Sequence, residues 1–142
     1  MTQLNSRLLW VLWAVFAITL SSCKKTVAAK EEDLLISIIT SGIWVVESYV
    51  ENGNTITSDF AGYDFKFEKS GTVTGTSNGV VNSGTWSGST TTRSISSNFP
   101  SSGAPLNKLN GTWLIVDAGP NFVKANATIS AANCSIYLYK KP

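Results

Sequence analysis

The chain has 142 residues, with 11 Lys and Arg against 9 Asp and Glu and no His. That length holds one domain, and so small a net charge gives no long-range field to draw a phosphate backbone, which argues against a nucleic-acid partner. The lack of His removes the commonest general base and metal ligand, and a composition only 14% charged but rich in Ser, Thr, Gly and aromatics suits an exported, strand-rich domain.

The first element is apolar. Met1 to Arg7 is polar with one cation, and Leu8 to Leu20 is an unbroken apolar run. Its length at about 1.5 Å per residue spans roughly 20 Å, short of the ~30 Å hydrocarbon core, so it reads as a signal-peptide core and not a permanent span. Leu20-Ser21-Ser22-Cys23 follows. This tetrapeptide resembles the bacterial lipobox, and the resemblance implies cleavage between Ser22 and Cys23, a diacylglyceryl thioether on Cys23 and acylation of the new amine. Two or three acyl chains hold a protein on a membrane essentially permanently, where one does not. Residues 1–22 are thus expected to be a cleaved signal, 23–33 a lipidated tether and 34–142 the folded domain. The charged stretch Lys30-Glu31-Glu32-Asp33 looks like the export signals that send some Bacteroidetes lipoproteins to the cell surface. The envelope is therefore the expected location, most naturally the outer membrane, with either face open.

Acidic residues ahead of Leu34, Leu35, Ile36, Ile38 and Ile39 predict a short helix over 31–40, ended by Ser41-Gly42. From there the period changes to two. Strands are expected at 43–50, 54–58, 63–67, 72–77, 80–87, 91–97, 112–118, 122–129 and 134–140, with one helical turn at 106–110. Tyr63, Phe65 and Phe67 against Asp64, Lys66 and Glu68 carry the clearest alternation. Glu51-Asn52-Gly53-Asn54 and Asn78-Gly79 are hairpin turns. Connections this short do not allow parallel crossovers, so the fold class is all-β, an antiparallel meander. Closure into a barrel removes its edges; a two-sheet sandwich is the competitor.

Gly-x-Trp occurs at Gly42-Ile43-Trp44, Gly84-Thr85-Trp86 and Gly111-Thr112-Trp113. Burying one Trp removes about 200 Å² from water, worth roughly 5 kcal/mol before entropy, so these rings are core candidates first. A short helix running into Ser-Gly-x-Trp resembles the N-terminal signature of lipocalin-like domains. The order Tyr63–Val73, then Gly84–Ser87, then Pro105–Trp113, with a last strand ending in Lys140, is similar to small lipocalin-like (calycin-like) lipoproteins of Bacteroidetes. The resemblance implies an eight-stranded up-and-down barrel and a cavity for a small apolar ligand, lined by Trp44, Phe65, Phe67, Trp86 and Trp113. Lipocalins often pack an Arg over the signature Trp; here Lys140, Lys141 or Arg93 would have to serve. The long helix that follows the last lipocalin strand is missing, and a small barrel can instead be filled by its own side chains.

Other chemistry finds little footing. Cys134 alternates with Ile136 and Leu138 and is expected to face the core, with Tyr137 and Tyr139 outward. A calcium loop of Glu51, Asn52, Asn54 and Asp59 competes with an ordinary hairpin turn. No Ser or Cys has a His base, and neither metal-ligand spacing nor a phosphate-binding glycine motif appears. The reading is a non-enzyme with no cofactor. It is either a carrier of an apolar molecule or an envelope scaffold, inhibitors included, whose loops near 51–61 and 98–110 meet a partner.

Overall fold

The computed structural model describes residues 34–128 and 133–142. The expected signal peptide over 1–22 with its last residue Ser22, the expected lipid site Cys23 and the expected tether to Asp33 lie outside the described residues, as do residues 129–132. Residues 34–40 are helical (α1). Nine strands follow: β1 (Trp44–Glu51), β2 (Asn54–Thr55), β3 (Asp64–Phe67), β4 (Thr72–Ser77), β5 (Val80–Ser89), β6 (Ser94–Asn98), β7 (Gly111–Gly119), β8 (Phe122–Ala127) and β9 (Cys134–Lys140). Every neighbouring pair is antiparallel, and β1 pairs with β9 to close the sheet. Eight strands form the barrel, and β2 is a two-residue spur on β1.

Turn chemistry sets the registers. Asn52 and Gly53, and again Asn78 and Gly79, take positive φ, the backbone that Asn-Gly supplies most cheaply and that matches the twist of the flanking strands. One register slip would turn each inward row to solvent. Phe65 and Phe67 are buried, with Lys66 and Glu68 exposed; Trp86, Trp113, Ile115, Val123, Ala125, Cys134 and Ile136 repeat the pattern around the wall.

Three strands fall short of expectation by two residues or more. The strand expected at 54–58 stops at Thr55, because Thr57–Phe60 winds into a 3-10 turn. Ile56 N–H donates to the Tyr49 carbonyl at 2.9 Å, Thr57 Oγ1 accepts from Tyr49 N–H at 2.9 Å, and Phe60 is carried onto the Tyr49 ring at 4.9 Å. The strand expected from 91 starts at Ser94, since the chain turns through residues 90–93 with Arg93 at φ 48°. β8 ends at Ala127, short of the expected 129.

Both ends of the barrel are stopped. At one end, which also holds the turns 68–71, 90–93 and 120–121, α1 buries Ile39 and lays Leu35 and Ile36 over Gly88. At the other, the Thr57–Phe60 turn buries Phe60, and a second 3-10 turn, Leu106–Leu109, buries both its leucines, with Leu106 against Gly75 and Phe65. The core is continuous from one stopper to the other, and no polar or charged residue among those described is buried.

Candidate functional site

The place to look for a ligand is the barrel axis. A cavity of about 50 Å³ lies there, with Phe65, Phe67, Phe99, Leu109, Trp113 and Ile136 in its wall. Space of that size has room for a few water molecules, whereas small-molecule sites run to roughly 300–1,000 Å³. Of the five aromatics expected around a ligand, Phe65, Phe67 and Trp113 line this cavity. Trp44 is fully buried and Trp86 nearly so, but neither reaches the cavity; both are core.

The three Gly-x-Trp tryptophans share a different task. Trp44 Nε1 donates to the Ile39 carbonyl of α1 at 2.8 Å, Trp86 Nε1 to the Glu68 carbonyl at 2.8 Å, and Trp113 Nε1 to the Leu109 carbonyl at 3.0 Å. Each indole thus satisfies a carbonyl at the end of a helical turn or in a strand connection while its ring fills the core. A buried indole N–H left without a partner would cost about 1–3 kcal/mol, so the ring and the segment it holds are fixed together. Lys140, not Arg93, covers the signature Trp: its Nζ stands 5.1 Å from the Trp44 ring centroid and donates to Ser41 Oγ at 2.9 Å. Arg93 is held in the β5–β6 turn, and Lys141 pairs instead with Asp64 at 2.9 Å.

The mouth opposite α1 is the polar part of the molecule. A recess of about 160 Å³ there is bordered by Tyr49, Glu51, Lys108, Asn110, Thr112 and Cys134. Lys108 Nζ meets Glu51 Oε2 at 2.8 Å, and the Tyr49 hydroxyl donates to the Lys108 carbonyl at 3.0 Å. Burial raises the Tyr49 hydroxyl well above the usual phenol range, and its hydrogen bond with the Cys134 thiol adds to the shift. The Glu51 hydrogen bond raises the Lys108 ammonium. Cys134 faces inward, as expected, and is 4% exposed. Glu51 is occupied by Lys108, and Asn52 accepts from the Asn133 N–H at 3.0 Å; among the described residues no cluster of three or more acidic or Cys side chains could hold a metal.

The sequence reading missed the stoppers Phe60, Phe99, Leu106 and Leu109. Leu106 and Leu109 were within reach of it, because an i, i+3 apolar pair inside a predicted helical turn must bury one face.

With this geometry in hand, the barrel is similar to the crystal structure of a DUF4847 family protein from Bacteroides vulgatus ATCC 8482, at a TM-score of 0.55 and 16% identity over 76% of this chain and 99% of that one. The likeness is one of fold. No family model matches the chain, and no curated protein does. A closed eight-stranded antiparallel barrel is the fold that the lipocalin-like resemblance implied.

Proposed function

We propose that the chain is a cell-envelope lipoprotein, anchored through Cys23 after removal of residues 1–22, whose filled barrel is a scaffold presenting surface loops to a partner. The observation that carries the scaffold reading is the cavity of about 50 Å³, which is several times too small for an apolar cargo. The proposal includes no catalytic step and no nucleic acid. We put the contact surface at the mouth opposite α1, bordered by the two longest described connections, 52–63 and 99–110, where Lys108 pairs with Glu51 and feels the charge of Asp59. Native mass spectrometry of protein purified from its own membranes tests this: a chain carrying only its anchor is expected, and a stoichiometric lipid or pigment released by organic solvent would replace the scaffold with a carrier. Anchoring has its own test. A Cys23→Ala precursor is expected to lose detergent-phase partitioning and to remain uncut after Ser22.

A further inference from the structure

We infer that the end of the barrel carrying α1 lies against anionic lipid headgroups, so that the polar mouth points away from the membrane. This rests on the lipid-anchor reading of Cys23. Leu34, where the described chain enters that end, follows Cys23 by eleven residues, which reach at most about 40 Å when extended. An eight-residue strand such as β1 is only about 26 Å long. The tether is therefore long enough to let the barrel turn over, and orientation must come from the surface itself.

The two ends differ in the required way. Around α1, Leu34 and Ile43 are 61% and 40% exposed, with nothing described covering them. On the adjoining wall Tyr139 is 39% exposed and pairs with Val45 on one side and Phe122 on the other. Exposed Lys69 and Arg93 stand in two of the three turns at this end, and Lys140 ends β9 with Lys141 just after it. Among the described residues the acidic groups facing them are Glu68, which pairs with Lys66 at 3.2 Å, and Asp64, which pairs with Lys141; Asp117 lies opposite Lys124 in the β7–β8 register, and Glu31, Glu32 and Asp33, which precede Leu34 in the chain, lie outside the described residues. At the far end Glu51 and Asp59 stand against Lys108 alone. Aliphatic and aromatic side chains among cations are the chemistry of a headgroup interface: the apolar groups enter the boundary, and the cations meet phosphates. The far end also exposes apolar side chains, Val80 and Val81 beside the Asn78-Gly79 turn, at 62% and 59%, so what distinguishes the α1 end is its positive balance among the described residues.

Lipidated protein with a nitroxide-quenchable fluorophore on Thr91→Cys, in the turn beside α1, or on Ser58→Cys, in the far mouth, tests the orientation. On vesicles of phosphatidylcholine mixed with phosphatidylglycerol and a nitroxide-headgroup lipid, the Thr91 label is expected to be quenched and the Ser58 label spared. The difference should fade at about 1 M salt, where the Debye length falls to about 3 Å, and on pure phosphatidylcholine. Lys69→Gln and Arg93→Asn, the latter chosen to suit the positive φ, should each lower the docked-to-undocked ratio about fivefold. Equal quenching of both labels, on protein whose intact mass carries the lipid, overturns the docking. Quenching of the Thr91 label that ignores phosphatidylglycerol, salt and both charge variants overturns recognition of anionic headgroups in favour of apolar insertion alone. An intact mass without lipid overturns the anchor reading and the docking with it.

Discussion

Truncating Leu109 is the most direct test of the filled barrel. Its side chain lines the cavity and is 8% exposed, while its carbonyl accepts from Trp113 Nε1 and Ser97 Oγ. A Leu109→Ala change therefore removes the plug and leaves those backbone bonds in place. Three buried carbon groups represent about 2.4 kcal/mol of transfer free energy. If the space they leave, about 80 Å³, stays open, the cavity term at 24 cal/mol per Å³ adds about 1.9 kcal/mol, for a loss near 4 kcal/mol. The enlarged cavity, about 130 Å³, approaches the size of an engineered apolar cavity that admits benzene. Urea unfolding followed by Trp fluorescence reads the first effect, and a rise in midpoint with benzene, for the variant and not for the parent, reads the second. A loss under 1 kcal/mol without benzene stabilisation would show that the mouth is not plugged by this side chain. Benzene stabilisation of the parent would show that the interior is already open to ligands.

Other changes separate packing from turn geometry and charge. A Cβ on Gly84 would sit 2.3 Å from the Asn98 carbonyl oxygen, so Gly84→Ala should destabilise by about 2 kcal/mol or more as β5 and β6 are forced apart, whereas Gly103→Ala, with nothing within 4 Å, should leave the urea midpoint unchanged or slightly raised; equal midpoints for the two would refute the close approach. The Tyr49 hydroxyl and the Lys108 ammonium both have raised pKa values in the fold. The folded chain thus retains protons that the unfolded chain loses from about pH 10, and the stability they supply is complete below that pH and declines as pH rises above it. Melting temperatures between pH 8 and 11.5 should fall at the alkaline end, and less steeply for Tyr49→Phe; identical slopes would rule Tyr49 out as the group responsible.

Much of the fold was legible because local signals and the global pattern agree. The alternation at 63–68, the Asn78-Gly79 hairpin and the Cys134–Lys140 strand need no tertiary information beyond a buried face. The failures have one physical source. At 54–58 and 91–93 the residues are compatible with a strand, and what bends the chain is a specific hydrogen bond that periodicity does not report: those of Ile56 and Thr57 with Tyr49 for the first, Ser89 Oγ accepting from Thr92 N–H at 3.3 Å for the second. The aromatic residues show the same limit. Period two shows that Trp44, Trp86 and Trp113 point inward, but it is silent on what stands at the ends of the barrel. There the indoles meet carbonyls of segments that only the closed sheet brings near. Gly84 shows a further limit: it is required by the approach of the β6 backbone, which the Gly-x-Trp spacing does not report.

Whether the barrel could still open to load a ligand is decided by what opening would break. Swinging out the Leu106–Leu109 turn removes the hydrogen bonds from Tyr49 Oη to the Lys108 carbonyl, from Trp113 Nε1 and Ser97 Oγ to the Leu109 carbonyl, and from Phe99 N–H to Asn110 Oδ1. At about 1 kcal/mol each, these total about 4 kcal/mol. Exposing two buried leucines costs roughly 2–3 kcal/mol apiece, which brings opening to about 9 kcal/mol without the Glu51–Lys108 pair. Domains of this size unfold for about 5–15 kcal/mol. An opening that nearly equals global unfolding is not a working gate, because a ligand would have to recover the whole cost in binding energy before showing any net affinity. The interior therefore acts as structure, which leaves the proposed partner to the far mouth and the proposed membrane contact to the α1 end.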